Sequence, residues 1–204
     1  RQDILDFMAH NYSTDQMILA SIGDISFKEF EHLAMAYFGN QPAHLIKKTR
    51  DAFPGNLPEN RSLERNNHLS HCIIGGLAPK FSSMQRMPVV MLNNVLGGPA
   101  MSSRLGLNIR EKYGFAYTIE SQYTAYSDVG LINVYMAVDP DSLEKAISLV
   151  HKELDKLCTQ RLGTLQLHHA KQQLIGQAAL SYESGMNELL SAARSLLMNE
   201  PIDD

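Results

Sequence analysis

Apolar residues recur along the chain in two periods, and the switches between them predict its elements. Ile4, Leu5, Met8 and Tyr12 fall at helical spacing and give residues 1–12 one apolar face. Residues 17–22 are a short apolar run closed by Gly23-Asp24, which predicts a strand. Ser26 then offers a helix cap, with Glu29 three residues on to complete a capping box. Phe27, Phe30, Leu33, Ala34 and Tyr37 form the expected buried stripe of that helix, and Gly39-Asn40 ends it. From residue 41 to 67 no period is sustained. Pro42, Pro54, Pro58 and Gly55 interrupt it, and Lys47, Lys48, Arg50 and Asp51 are charged, so this stretch reads as a linker.

Beyond the linker the pattern is richer. Residues 68–77 predict a strand that runs through Ala78-Pro79-Lys80 into a loop. Pro88 suits the first turn of a helix carrying Val89, Val90, Leu92, Val95 and Leu96, broken by Gly97-Gly98-Pro99. A further helix is expected over 102–113, capped by Ser102 or Ser103, with Gly114 taking the left-handed conformation that stops it. Residues 115–123 alternate, placing Phe115, Tyr117, Ile119 and Tyr123 on one face of a strand. Ser127-Asp128-Val129-Gly130 predicts a hairpin connection to a returning strand over 131–138. Asp139-Pro140-Asp141 opens a long helix with Leu143, Ala146, Ile147, Val150, Leu154 and Leu157 on one side, and two more helices follow at about 164–182 and 186–198. Antiparallel strands among long helices predict an α+β fold, with the helices packed on one face of the sheet.

Composition narrows the function classes. At 204 residues the chain suffices for one sizeable domain, or one with an appendage. A hydrophobic share of 44% with 20% charged is an ordinary globular balance. The net charge of -4 and the lack of a basic cluster argue against nucleic acid as a partner. No apolar run approaches the roughly 20 residues that span a bilayer. Cys72 and Cys158 are too few for a disulfide framework and do not have metal-ligand spacing. Both read as small buried hydrophobes, and their scarcity favours a reducing compartment such as the cytoplasm. His68 and His71 point to opposite faces of a strand, and His168 and His169 sit about 100° apart around a helix, so neither pair is arranged for a metal. Glu183 and Glu188 are expected in solvent, and Ser102, Ser103 and Ser127 lack the His–Asp arrangement of a nucleophile. Gly97 and Gly98 read as a tight helix exit, and Arg104 as a charge paired within or beside its helix.

One corner does carry candidate chemistry. Arg110 falls in the last turn of the 102–113 helix and Tyr117 near the start of the next strand, seven residues on. A helix-to-strand corner can aim two such side chains at one spot. A guanidinium and a phenol are both hydrogen-bond donors, and together they can hold a peptide carbonyl.

The run Arg110-Glu111-Lys112-Tyr113-Gly114-Phe115-Ala116-Tyr117, with Ser103-Arg104-Leu105 before it and Tyr126-Ser127-Asp128-Val129-Gly130 after it, resembles the second half-domain of the M16 peptidases. These are zinc metallopeptidases that include pitrilysin, insulin-degrading enzyme and mitochondrial processing peptidase. The resemblance covers nearly the whole chain. It implies that Arg110 and Tyr117 are the catalytic contacts of this half, Tyr117 donating to the developing oxyanion while Arg110 holds adjacent substrate backbone. It also implies zinc in the parent enzyme, held by a His-x-x-Glu-His helix and a distant Glu of the first half-domain. His10, His32, His44, His68, His71, His151, His168 and His169 do not form that arrangement, so no metal is expected on this chain.

The resemblance further implies a division into residues 1–40, the tail of an upstream catalytic half-domain; 41–67, a linker; and 68–204, a second half-domain cut short at its end. The leading helix and strand, residues 1–23, are expected to match closing elements the second half lacks, and to fill their place beside the 68–138 sheet, in cis or from a neighbouring molecule. The expected function is part of a zinc-dependent endopeptidase acting on short or unfolded polypeptides, inactive without the upstream half. The alternatives are a non-catalytic homologue serving assembly, or a partner subunit that supplies Arg and Tyr in trans.

Overall fold

The computed structural model describes residues 1–47, 49, 51, 53–55, 58–199 and 201–202. Two units emerge, one built from Arg1–Asp51 with Gln177–Asp204 and the other from Ala52–Gly176. The linker reading falls in part on positions 48, 50, 52, 56 and 57, which lie outside the described residues, Lys48 and Arg50 among them. The described residues between 41 and 67 form no helix or strand.

The larger unit is organised by a three-stranded antiparallel sheet of β1 (Ser70–Ala78), β2 (Ala116–Ala125) and β3 (Gly130–Val138), in the order β1-β3-β2. β3 is central because the 126–129 hairpin folds it back on β2, while β1 pairs along its other edge from Ser70 opposite Val138 to Ala78 opposite Gly130. Period-two patterning then sorts the faces. Val134, Met136 and Val138 are buried on one side, whereas Ile73, Leu77 and Leu131 are exposed on the other. The inner side is covered by α3 (Arg86–Gly97), a helix over Gly106–Glu111 and α4 (Leu143–Thr159), whose Leu96, Leu105, Ile109, Ala146 and Val150 complete the core. This is the expected α+β layer, with helices on one face of the sheet.

Backbone proximity fixes how close α3 lies to β2. A Cβ on Gly97 would stand 2.6 Å from the Ser121 nitrogen, so only glycine allows the approach. Asn93 Nδ2 donates to the Ser121 carbonyl at 3.3 Å, and Ser121 Oγ donates to the Asn93 carbonyl at 3.0 Å. These reciprocal bonds clamp the helix to the strand a few residues from Tyr117. α5 (Thr164–Tyr182) follows α4 and buries Ala170.

The smaller unit contains α1 (Gln2–Asn11), α2 (Phe27–Phe38) and α6 (Gly185–Met198). Ser26 Oγ accepts the Glu29 N–H at 3.2 Å, as the capping pattern predicts. The buried Ser13 holds the unit's loops together. Its Oγ accepts from the Ile46 N–H at 3.1 Å, while the Thr14 N–H donates to the His44 carbonyl at 2.9 Å.

Four expectations fail here. Residues 17–22 form no strand: the backbone is extended at Met17, but extended chain becomes a strand only with a ladder partner. The apolar face of α2 is not a buried stripe, since α2, like α1, carries no buried residue and Phe27 and Tyr37 are largely exposed. Cys158, near the C-terminal end of α4, is exposed rather than buried, and Cys72 is half-buried. Arg104 makes no ion pair among the described residues.

Leu105 is fully buried and Met84 is 98% exposed. Leu105→Ala is therefore expected to lower stability by about 2–5 kcal/mol in urea unfolding, while Met84→Ala stays within about 0.5 kcal/mol of the parent.

Candidate functional site

The corner between Gly106 and Thr118 departs from regular structure twice, once on each side of Gly114. Residues 106–111 are wound as a π-helix, in which the Lys112 N–H reaches back five residues to the Leu107 carbonyl at 3.0 Å. The sequence predicts an α-helix over 102–113 with a serine cap. The helix opens as α over 104–105 only, no side chain caps the π-helix that continues it, and each π-turn takes up extra chain. Leu105 and Ile109, four residues apart, are both fully buried. Gly106 suits the crowding, as a Cβ there would lie 2.9 Å from Ser103 Oγ.

The stop at Gly114 is as predicted. Gly114 has φ +65°, its N–H donates to the Arg110 carbonyl at 3.0 Å, and the Phe115 N–H donates to the Ile109 carbonyl at 3.3 Å. These bonds satisfy the carbonyls that a helix end leaves open, and they fix where Arg110 stands. The second irregularity is a bulge in β2. Ala116 pairs with Val138 and Thr118 with Ala137, leaving Tyr117 as an extra residue with no partner across the ladder. The predicted alternation put Tyr117 on the same face as Ile119. The bulge breaks that phase, so Ala116 and Ile119 are buried while Tyr117 is 65% exposed.

The structure thus places both expected site residues at one corner, on either side of the Gly114 turn, with both reaching solvent. No hydrogen bond joins them among the described residues. Arg110 Nε donates to Glu111 Oε1 at 3.1 Å, and the two side chains are 37% and 52% exposed. A pair so open to water contributes little to stability. It engages one of five guanidinium donors and leaves the four on the Nη atoms without a hydrogen bond among the described residues. The corner can therefore offer carbonyl oxygens a fork of donors and a separate phenol.

Sequence reasoning missed a third component. Tyr113 and Phe115 stack with ring centroids 5.4 Å apart and planes 14° from parallel, and Lys112 Nζ lies 5.3 Å from the Tyr113 centroid. Phe115 packs against the core, whereas Tyr113 is exposed. No pattern in the sequence signalled it, because stacking depends on a ring plane and a distance.

No group of three or more His, Cys, Asp or Glu among the described residues could hold a metal ion, so the described part of this chain does not fit a zinc site. Burial first, and the negative charge of Glu144 second, push the Cys72 thiol up, which keeps it protonated and poorly nucleophilic at neutral pH. His71 Nδ1 lies 2.9 Å from the Tyr135 hydroxyl on the open face of the sheet, an ordinary polar contact. No described helix is long and apolar enough to cross a membrane.

Comparison with known proteins matches residues 1–174 to the family described as the peptidase M16 inactive domain. The chain belongs to the M16 peptidase family. Among curated M16 relatives, the uncharacterized zinc protease YmxG of Bacillus subtilis is 27% identical over 195 residues, covering 90% of this chain and 46% of that protein. The human mitochondrial-processing peptidase subunit alpha is 25% identical over 215 residues, covering 90% and 39% respectively. The chain thus spans less than half the length of these relatives. A protease from Helicobacter pylori superposes with a TM-score of 0.75 at 19% identity, over 97% of this chain and 49% of the other. An M16 inactive domain from Pseudomonas fluorescens gives 0.72 at 19%, over 88% and 43%. At such identity these two structures establish the M16 fold alone.

In this M16 domain the left-handed turn is the hinge of the corner. A Cβ at Gly114 would meet no atom within 4 Å, so a Gly114→Ala variant tests conformation rather than space. It is expected to cost about 1–2 kcal/mol, read as a lowered urea midpoint with unchanged far-ultraviolet circular dichroism.

Proposed function

We propose that this chain is the substrate-holding half of an M16 zinc endopeptidase, with Arg110 and Tyr117 as its catalytic contacts. The exposure of both side chains at one corner, brought about by the Gly114 turn and the Tyr117 bulge, is the observation that carries this reading. Among the functions of so exposed a donor pair, holding an extended polypeptide suits it well. The Nη fork matches a backbone carbonyl, and the phenol matches an oxygen on which negative charge develops during acyl transfer. The described residues offer no zinc site, so in this reading the zinc is held by an upstream half-domain or a separate chain. The uncovered apolar faces of α1 and α2 support assigning residues 1–40 to the end of a preceding half-domain.

A second reading has an observation of its own. The matched family is described as inactive, and one relative is a subunit of a processing peptidase, which favours a chain that works in trans beside a separate zinc-bearing partner. Both readings give Arg110 and Tyr117 the same task and differ in where the metal-bearing part is encoded.

The test is a peptidase assay of this chain, alone and combined with an M16 chain that carries His-x-x-Glu-His. The chain alone is expected to be inactive, and the combination to cleave unstructured peptides in a chelator-sensitive way. Arg110→Ala and Tyr117→Phe are expected to lower kcat/KM about 10²–10³-fold each. Chelator-sensitive cleavage by this chain alone, or unchanged rates in both variants, contradicts the proposal.

A further inference from the structure

The corner that bears Arg110 and Tyr117 also bears an aromatic surface to which no role has been given. Tyr113 and Phe115 lie between the two donors in sequence and are folded onto one another by the left-handed Gly114. Their near-parallel planes at 5.4 Å make a stacked pair rather than an incidental edge contact. The two rings differ in support. Phe115 is partly buried and packed against the hydrophobic core, so it is held by the core, while Tyr113 rests on Phe115 and remains 47% exposed. An exposed aromatic that is free to move is ordinary. One stacked on a core-packed ring beside two exposed donor groups has the makings of a subsite, because little conformational entropy is lost when a ligand ring or chain settles on it.

The charges beside the shelf select among side chains. Arg110 and Glu111 offset one another as an ion pair, whereas Lys112 adds an ammonium 5.3 Å from the Tyr113 ring. A lysine or arginine approaching the ring meets a like charge already there. A neutral aromatic or large aliphatic side chain meets none. We infer that Tyr113, backed by Phe115, is the floor of a side-chain subsite that takes an aromatic or bulky aliphatic residue of an extended polypeptide and discriminates against basic ones. This rests on the reading that Arg110 and Tyr117 hold the polypeptide backbone, and it adds a specificity residue to that site.

Fluorescence anisotropy with the 204-residue chain and short unstructured peptides tests it. The labelled peptides differ at one central position, which is Phe, Ala or Arg. The chain is expected to bind the Phe peptide about fivefold tighter than the Ala peptide, and the Arg peptide no tighter than the Ala peptide. Tyr113→Phe is expected to keep that ratio. Tyr113→Ala is expected to bring it to unity. Tyr113 is exposed, so both variants should keep the parent circular dichroism, and the Tyr113→Phe arm stands without the alanine variant. Equal binding of the Phe and Ala peptides by the parent overturns the inference. So does a ratio that survives Tyr113→Ala, tightest binding of the Arg peptide, or no binding of any peptide.

Arg110→Ala and Tyr117→Phe separate this inference from the endopeptidase reading. Weaker binding of all three peptides at an unchanged Phe-to-Ala ratio supports both. A ratio that depends on Tyr113, with no effect of Arg110→Ala or Tyr117→Phe, leaves the subsite standing without the backbone-holding pair. A loss of affinity in those two variants, with no Phe preference in the parent, does the reverse.

Discussion

The left-handed backbone at Gly114 is the constraint from which the corner follows. Its φ of +65° turns the chain out of the π-helix and into β2 within a few residues. The Gly114 and Phe115 N–H groups then cap the Arg110 and Ile109 carbonyls. With those bonds made, Ile109 faces the core, Arg110 faces outward, and Phe115 is seated where it can support Tyr113. A residue with a Cβ meets a conformational cost at this φ even though nothing crowds it. Glycine is needed for the backbone, and the backbone sets the side chains.

The two irregularities on either side of that turn have a common consequence. A regular α-helix leading into a regular strand would settle the side chains by period alone, and alternation would put Tyr117 on the side of Ile119. The π-turn and the bulge each admit extra chain, and each frees a polar side chain from the packing its neighbours obey. Leu105 and Ile109 stay buried just before Arg110, and Ala116 and Ile119 on either side of Tyr117. Such departures weaken local hydrogen bonding, so they persist only where surrounding packing holds them. Here the core beneath the corner and the Asn93–Ser121 clamp supply that packing.

Much of this was legible in the chain itself. The long amphipathic pattern from Leu143 gives α4, Gly114 gives the helix stop, and Ser127 to Gly130 gives the hairpin, because each rests on local chemistry. What was not legible depends on contacts between distant segments. Residues 17–22 have strand composition but no ladder partner, and the α2 stripe is apolar without being covered. The bulge at Tyr117 arises from the pairing of β2 with β3, which no period within β2 reveals. Arg110 and Tyr117 stood out through their spacing and family resemblance. The Tyr113–Phe115 shelf needed coordinates, since stacking depends on a plane and a distance.

Hydrogen–deuterium exchange of the chain, with and without saturating unstructured peptide, tests most directly whether polypeptide is received at this corner. The account predicts slowed exchange concentrated between Gly106 and Thr118, with the α4 and β3 amides little changed. Protection confined to other segments, with the corner exchanging at its free rate while peptide is bound, would contradict it.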